Sequence, residues 1–309
     1  MPMKRILLTL AASAAMMASA QAANIGVSMA LFDDNFLTVL RNGMQDAAKT
    51  KAGMTLQVED ATNDISKQLS QIQNFIAQGV DGIIVNPVDT DATPQMSKLA
   101  SEAGIPLVYV NRQPADIDAL PEKVAFVGSD EKESGTLQMR EVCKLMNGTG
   151  EIVIMMGELS NQAARQRTQD IDDVVAAEPC TGIKVIERQT ANWQRTQATD
   201  LMTNWISAGL KPAAVVSNND EMAIGAIQAL KASGMGNVIV AGIDATQDGI
   251  AAMKAGDLKV TVFQNAAGQG AGAIDTVEKL VKGESVEKVV NVPFELVTPA
   301  NIAEYEAKN

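Results

Sequence analysis

The 309-residue chain contains no histidine, and aromatic residues make up only 3% of it. The lack of histidine excludes Ser-His-Asp and Cys-His nucleophilic catalysis, His-ligated zinc and a histidine general base. Acid–base chemistry through carboxylates or lysine stays open, so the composition disfavours enzymes without excluding them. The 46% of hydrophobic residues predicts a packed globular protein, with enough chain for one large domain or two of ordinary size.

Runs of basic residues are also missing. The formal net charge is −12 at pH 7, whereas proteins that bind DNA or RNA present a basic face that displaces counterions. Nucleic acid is therefore not an expected partner.

Long apolar runs are confined to the N-terminus. Lys4 and Arg5 precede an apolar segment at residues 6–20, and small residues follow in an Ala-x-Ala pattern that ends at Ala22. This pattern is typical of a secretory signal peptide, and the run is short for a membrane span. No cysteine lies near the cleavage point, so a bacterial lipid anchor is not expected. We expect residues 1–22 to be removed and the mature protein to be soluble.

Cysteine occurs only twice, at positions 143 and 180. In an exported protein, two cysteines suggest one disulfide, here between Cys143 and Cys180. Two buried free thiols are the alternative, and the sequence does not decide between them. A disulfide closing this loop would stabilise the fold by about 4 kcal/mol in the chain-entropy model.

Predicted strands and helices alternate along the rest of the chain. In the first half, strands are predicted at 24–29, 54–59, 82–85 and 106–110, and helices at 36–51, 66–78 and 93–103. In the second half, strands are predicted at 125–127, 151–156, 183–189, 213–217, 238–241 and 259–263, and helices at 132–146, 162–177, 195–208, 222–232 and 249–255. The turn and buried strand at 79–86 resemble those at 210–217. The pattern predicts an α/β fold of two similar doubly wound lobes with parallel sheets and a ligand cleft between them.

Polar and aromatic side chains follow successive predicted strands. Among them are Asp34, Phe36, Asn111, Arg112, Arg167, Trp193, Asn219, Asp244 and Gln264. Amides, carboxylates and guanidinium groups suit paired hydroxyls, and aromatic faces suit the C–H side of a sugar ring. Each residue has a structural alternative, because Asn219 could be only a helix N-cap and Trp193 could be only core. Their concentration at strand ends favours recognition of a polyol, and no nucleophile–base pair emerges.

Four segments carry a family resemblance: residues 111–113, 163–167, 219–226 and 242–244. On these the chain resembles the periplasmic sugar-binding proteins of the ribose-binding type, which are substrate-binding subunits of ABC importers. The resemblance covers essentially the whole mature chain. LacI-type repressors share this core, but they carry a DNA-binding headpiece where this chain has a signal peptide.

The resemblance implies a type I periplasmic binding protein with two lobes. One lobe would comprise residues 23–126 and 265–291, and the other residues 127–264 and 292–309. Three hinge segments would lie near 127–130, 264–265 and 291–294, and the lobes would close around the ligand by a hinge motion.

The resemblance also implies a set of ligand-binding residues. These are Asp34, Phe36, Leu37, Asn111, Arg112, Arg167, Trp193, Asn219, Asp244 and Gln264. The chain departs from the ribose-type pattern at three of them: Asp34 replaces Asn, Asn111 replaces Asp, and Leu37 replaces an aromatic residue. The moved carboxylate predicts a polyol other than ribose. We expect a cyclitol such as an inositol, or a rhizopine-like aminated derivative whose cation Asp34 would pair.

No cofactor and no metal are expected. Residues 60–64 and 89–91 do not supply the alternating oxygen ligands that a calcium loop needs. Gly268, Gly270 and Gly272 only loosely resemble a dinucleotide-binding loop, and close helix packing is the better prediction for them.

The sequence therefore predicts a monomeric protein that captures a sugar or cyclitol and presents it to an ABC permease in the inner membrane. One alternative is a sensor that delivers its ligand to a chemoreceptor or sensor kinase. Another is an exported carbohydrate enzyme that uses Asp34 and Asp244 as a carboxylate pair.

Overall fold

The structure is a computed structural model that describes residues 23–308, so the predicted signal peptide at 1–22 lies outside the described residues. Six parallel strands form the first sheet: β1 (Ala23–Met29), β2 (Met54–Asp60), β3 (Gly82–Val85), β4 (Leu107–Val110), β5 (Val124–Gly128) and β11 (Val289–Asn291). Their order is β2-β1-β3-β4-β5-β11. Four helices accompany this sheet: α1 (Asn35–Lys49), α2 (Ile65–Gln78), α3 (Thr93–Ala103) and α9 (Ala266–Val281). β3 and β4 are buried along their whole length, as strands covered on both faces should be.

A second parallel sheet follows along the chain. It contains β6 (Thr149–Met156), β7 (Gly182–Thr190), β8 (Ala214–Ser217) and β9 (Ile239–Ala241) in the order β7-β6-β8-β9. Its helices are α4 (Glu131–Leu145), α5 (Gln162–Val175), α6 (Arg195–Ser207), α7 (Asp220–Ala232) and α8 (Gln247–Lys254). β10 (Thr261–Phe263) pairs with β12 (Glu295–Val297) in antiparallel fashion, and single bridges link this pair to the edge of the sheet. Short 3-10 helices lie at Thr90–Ala92, Ile117–Ala119 and Ile302–Glu304.

All the predicted strands and helices are present, with ends within two residues of those expected. Three elements had no predicted bounds: α9, β11 and β12. α9 begins with an Ala- and Gly-rich stretch of low helix propensity, and each of the two strands has only three residues. The parallel sheets with helices confirm the predicted α/β class.

Glycine allows a close approach between α1 and α9. A Cβ atom on Gly270 would lie 2.7 Å from the Leu40 carbonyl oxygen and 2.8 Å from the Met44 nitrogen. On the α1 side, a Cβ on Gly43 would lie 2.8 Å from the Ala267 Cα atom. The predicted close helix packing is therefore confirmed at Gly270. It is wrong for Gly268, which instead lies against the Asn265 side chain that caps α9.

The chain passes three times between the two sheets. The passages lie between β5 and α4, between β10 and α9, and between β11 and β12. After the first passage α4 packs on α5, β9 and β10, and after the second α9 returns to α1 and to β3–β5. The two sheets are thus built from interleaved parts of one chain.

A disulfide joins Cys143 in α4 to Cys180, and both residues are buried in the hydrophobic core beside the second sheet. Within residues 23–308, no helix is both long enough and apolar enough to span a membrane.

Candidate ligand-binding site

All ten residues predicted to bind a ligand surround one cavity between the two sheets. Glu131 and Ala163 complete its lining. Each wall contributes an aromatic side chain, Phe36 on one and Trp193 on the other. The carboxyl ends of the parallel strands lead into this cavity, which is where ligands bind in open α/β sheets.

Asp34 and the start of α1 form part of the first wall. The Asp34 carboxylate caps α1 by accepting a hydrogen bond from the Leu37 backbone N–H at 2.8 Å. Burial raises the pKa of Asp34, while the Leu37 N–H and the Arg112 guanidinium act in the opposite direction. Phe36 and Leu37 are buried beside it. The cap therefore places a carboxylate and an apolar surface side by side.

Asn111 and Arg112 follow β4, and Asn111 has a positive φ of 68°. The Asn111 amide donates to Gln269 Oε1 at 3.2 Å and accepts from Asn86 Nδ2 at 3.3 Å, so this residue also ties neighbouring loops together. Arg112 Nη1 donates to the Pro87 carbonyl oxygen at 2.8 Å. Burial lowers the pKa of Arg112, and the nearby Glu158 and Asp34 carboxylates oppose that effect.

Arg167 on the second wall is held by a carboxylate that the sequence analysis missed. Its Nε and Nη2 donate to the two Glu131 oxygens at 2.8 and 3.0 Å. Nη1 also donates to the Asn218 carbonyl oxygen at 2.7 Å, and it lies 3.9 Å from Asp244 Oδ1. Burial acts to lower the pKa of Arg167, but the carboxylates of Glu131, Asp244 and Asp170 together oppose it, and the pKa lies above its usual value. Glu131 comes shortly after β5. The pattern of polar residues at strand ends would have identified it, but this strand end was predicted only to be a hinge segment.

The Trp193 ring is fixed from several sides. Trp193 has a positive φ of 66°, and its indole N–H donates to Asn161 Oδ1 at 2.9 Å. Gly157 lies so close to the ring that a Cβ atom there would overlap it. Asn219 caps α7 through Met222 N–H and donates from Nδ2 to the Trp193 carbonyl oxygen at 3.2 Å. Asn219 is therefore a helix cap and a cavity residue at once.

Asp244 lies on the short segment that follows β9 and has a positive φ of 120°. Burial raises its pKa well above the usual value, and the Arg167 guanidinium opposes this rise. Asp220 fixes the same segment through hydrogen bonds to its carboxylate. Its carboxylate accepts from Thr246 N–H at 2.9 Å and from Thr261 Oγ1 at 2.7 Å. Side chains at Gly242 or Gly249 would collide with this carboxylate, and burial raises its pKa to about 7.

Contacts across the cleft hold the two walls together. Asn161 Nδ2 donates to the Val88 carbonyl oxygen at 2.9 Å, and Thr90 N–H donates to the Ser160 carbonyl oxygen at 3.1 Å. Nearby, Arg165 Nη2 lies 2.9 Å from Asp91 Oδ1. At another point of the rim, Asn35 Nδ2 donates to Glu221 Oε1 at 2.8 Å. The structure therefore shows the cleft closed.

The lining is chemically suited to holding a polar ring. It offers carboxylates, guanidinium groups and amides for hydroxyls, and aromatic and apolar surfaces for C–H groups. Among residues 23–308, no group of three or more Cys, Asp or Glu side chains is placed to hold a metal ion.

Comparisons with known proteins find related sequences over most of the chain. A family model described as "Periplasmic binding protein domain" matches residues 25–285. The chain is 63% identical to a protein of Rhizobium meliloti named "Putative rhizopine-binding protein", over 99% of this chain and 100% of that protein. It is 32% identical to the ribose import binding protein of Salmonella typhimurium, over 93% of this chain and 95% of that protein.

A solved structure is similar over nearly the full length. It is an ABC transporter solute-binding protein from Bacillus halodurans C-125 with bound myo-inositol, and its TM-score to this structure is 0.89. The two chains are 43% identical, and the match covers 94% of this chain and 100% of that one.

Proposed function

The chain belongs to the periplasmic binding protein family, and on that premise we propose that it captures a cyclitol, either an inositol or an aminated inositol, for an ABC importer. Proteins of this family and its ribose-type members bind substrates for transport. The protein is accordingly a binding protein and not an enzyme, so Asp34 and Asp244 need no catalytic role.

The composition of the cavity carries this proposal. Side chains that can bond two groups at once line it on both walls: Asp34, Arg112, Arg167, Asn219, Asp244 and Gln264. A ring with a hydroxyl on every carbon offers paired groups in all directions, whereas a ligand lacking one of them would leave a buried polar group without its bond. Phe36 and Trp193 would cover the two faces of the ring.

The identity of the polyol is supported by Asp34 and by the relatives. Asp34 stands where the ribose-type pattern has Asn, so the first wall is more acidic than that pattern implies. The 63% identical relative is named for rhizopine, and the structure at 43% identity holds myo-inositol. Both observations favour a six-membered carbocycle over ribose.

We assign one lobe to residues 23–126 and 265–291 and the other to residues 127–264 and 292–309. The three chain passages between the sheets coincide with the proposed hinge segments at 127–130, 264–265 and 291–294, which supports this division. A hinge at these points would let the second wall swing away and admit the ligand.

The proposed partner is the permease of an ABC importer in the inner membrane, reached from the periplasm after removal of residues 1–22. Both walls of the cavity come from one chain, which supports action as a monomer. Delivery of the ligand to a chemoreceptor stays a prediction from the sequence.

Calorimetric titration of the mature protein tests the proposal. We expect myo-inositol or an inosamine to bind, and ribose to bind at least about tenfold more weakly. Asp244→Ala should lower the affinity by about a hundredfold, because it removes a buried carboxyl group that would hydrogen-bond the ligand. Binding of ribose without binding of any inositol or inosamine would contradict the proposed ligand class.

A further inference from the structure

A second cavity adjoins the ligand cavity, and we call it the annex. Three residues line both spaces: Asp34, Arg112 and Trp193. The rest of the annex lies between residues 31–35 and 63 of the first wall and residues 158, 192–196 and 221 of the second. It offers more space than the ligand cavity itself. A group attached to a bound ring could therefore extend into it.

The two walls touch each other within the lining of the annex. Asn63 Nδ2 donates to Glu158 Oε1 at 2.5 Å, and Asn35 Nδ2 donates to Glu221 Oε1 at 2.8 Å. All four of these residues line the annex. The annex therefore persists in the closed state, although the walls are in direct contact at two pairs of its own residues.

The annex presents hydrogen-bonding groups that the fold does not use. Among residues 23–308, the side chains of Asp33 and Thr196 have no hydrogen-bond or ion-pair partner, and both line the annex but not the ligand cavity. Gln194 Oε1 accepts from Gln197 Nε2 at 2.8 Å, which leaves the Gln194 amide nitrogen as a donor. A carboxylate, a hydroxyl and an amide donor are together suited to the hydroxyl groups of a second polar ligand group.

The charges of the annex disfavour an anionic group. Apart from the residues shared with the ligand cavity, its charged side chains are those of Asp33, Glu158, Arg195 and Glu221. Arg195 is already bonded to Glu221 at 2.9 Å. Carboxylates thus outnumber guanidinium groups, and a phosphate placed among them would meet like charge.

We propose that the annex is a second subsite, which holds an uncharged hydroxylated substituent such as an O-linked sugar on a cyclitol bound in the ligand cavity. The inference rests on the proposed function and deepens it by naming a glycosylated cyclitol as an accepted substrate class. A substituent that leaves the ring between Arg112 and Trp193 enters the annex directly, because both residues border both spaces.

Calorimetric titration at pH 7 compares two inositols with their glycosides. One pair is myo-inositol and galactinol, in which one myo-inositol hydroxyl carries a galactosyl group. The other is scyllo-inositol and its mono-O-glucoside, for which only one attachment position exists because the six hydroxyl groups are equivalent. We expect at least one glycoside to bind with a dissociation constant within about tenfold of that of its parent inositol.

Thr196→Trp tests the location of the substituent. The larger side chain would occupy part of the annex, so we expect the glycoside to bind at least about tenfold more weakly while the free inositol binds as in the wild type. Unchanged binding of the inositol also shows that the variant is folded. Thr203→Trp is the matched control, because Thr203 is exposed on the same helix and lines neither cavity.

Asp33→Asn tests the polar contact without adding bulk. It replaces a carboxylate acceptor that has no partner in the fold, so the glycoside alone should lose about three- to tenfold in affinity. The charge argument is tested with myo-inositol 1-phosphate, which should bind more weakly than galactinol. Tighter binding of the phosphate would show that the annex accepts an anion, and the proposed class would be wrong.

The outcomes separate the two proposals. If an inositol binds but neither glycoside comes within about tenfold of its parent, the annex is not a subsite and the cyclitol proposal stands. A glycoside that binds Thr196→Trp and Thr203→Trp equally well would also overturn the subsite. If the wild type binds none of the inositols or glycosides, the proposed function itself fails.

Discussion

Asp220 has a structural role that its neighbour Asp244 depends on. Its carboxylate bonds Thr246 and Thr261, and glycines at 242 and 249 make room for it. This arrangement fixes the segment on which Asp244 enters the cavity. The Asp220 carboxyl group is buried among backbone N–H and hydroxyl donors, and burial raises its pKa to about 7.

This raised pKa predicts a pH dependence of stability. The folded pKa of Asp220 is about 7 and the ordinary value is 3.8, so between these pH values the folded protein holds a proton that the unfolded chain has lost. The contribution of Asp220 to the free energy of unfolding therefore falls as the pH rises from about 4 to about 7. Asp220→Asn should lack this fall. The difference in the free energy of unfolding between the wild type and Asp220→Asn should therefore change by up to about 4 kcal/mol over that range.

Urea unfolding of the ligand-free protein at several pH values between about 4 and 8 measures this effect. Asp46→Asn is a suitable control, because Asp46 is exposed and pairs only with Lys49 on its own helix. Wild-type and Asp220→Asn curves that stay parallel through the range would show that Asp220 does not titrate there.

At the level of elements, the contact between α1 and α9 positions the first wall. α1 starts at the Asp34 cap and carries Phe36 and Leu37 in its first turn. α9 packs against α1 where Gly270 meets the backbone of residues 40–44. Any increase in the distance between these helices would therefore move the start of α1 relative to the rest of the cavity.

Gly270→Ala tests this dependence. The added methyl group would press on the Leu40 carbonyl oxygen and the Met44 nitrogen, which are backbone atoms that cannot turn aside. We expect the free energy of unfolding to fall by about 1–3 kcal/mol and ligand affinity to fall with it. Gly236→Ala is the control, since a Cβ atom there meets nothing within 4 Å. Equal urea midpoints for the two variants would contradict the packing argument.

At the scale of the whole molecule, the closed state is held by polar contacts that are separate from the ligand cavity. Asn161 is central among them, because its amide links the Val88 carbonyl oxygen across the cleft and the Trp193 indole on its own side. Closure of the lobes and placement of the aromatic ring are therefore connected through one side chain.

Two substitutions at Asn161 separate these functions. Asn161→Asp keeps an oxygen acceptor for Trp193 but loses the donor to Val88, so ligand dissociation should quicken by about five- to tenfold. Asn161→Leu loses both bonds, so the ligand should dissociate from it faster still and the change in Trp193 fluorescence should be larger. Stopped-flow fluorescence measures ligand dissociation from both variants. The signal reports on Trp193, because the other tryptophan, Trp205, is buried in the core away from the cavity. If Asn161→Asp matches the wild type, the bond to Val88 does not hold the lobes closed.

The sequence was sufficient for the position of the site but not for the pairing of its side chains. Asp34, Asn111 and Asp244 all lie where predicted, because parallel strands bring their carboxyl ends to one edge. Arg167 pairs with Glu131 because α4 packs against α5, and no local sequence pattern encodes that packing. The strands β11 and β12 were missed for a related reason, since three residues carry too little periodicity to be read without their partners.

The interleaved path of the chain also has a consequence for the order in which the molecule can assemble. The second sheet has all four of its strands once residue 241 has emerged, whereas the first sheet waits for β11 at residues 289–291 and α1 waits for α9. The earliest part of the chain to be synthesised is thus among the last to find its full set of partners. We therefore expect the first sheet to complete its packing only after residues 266–291 have been synthesised.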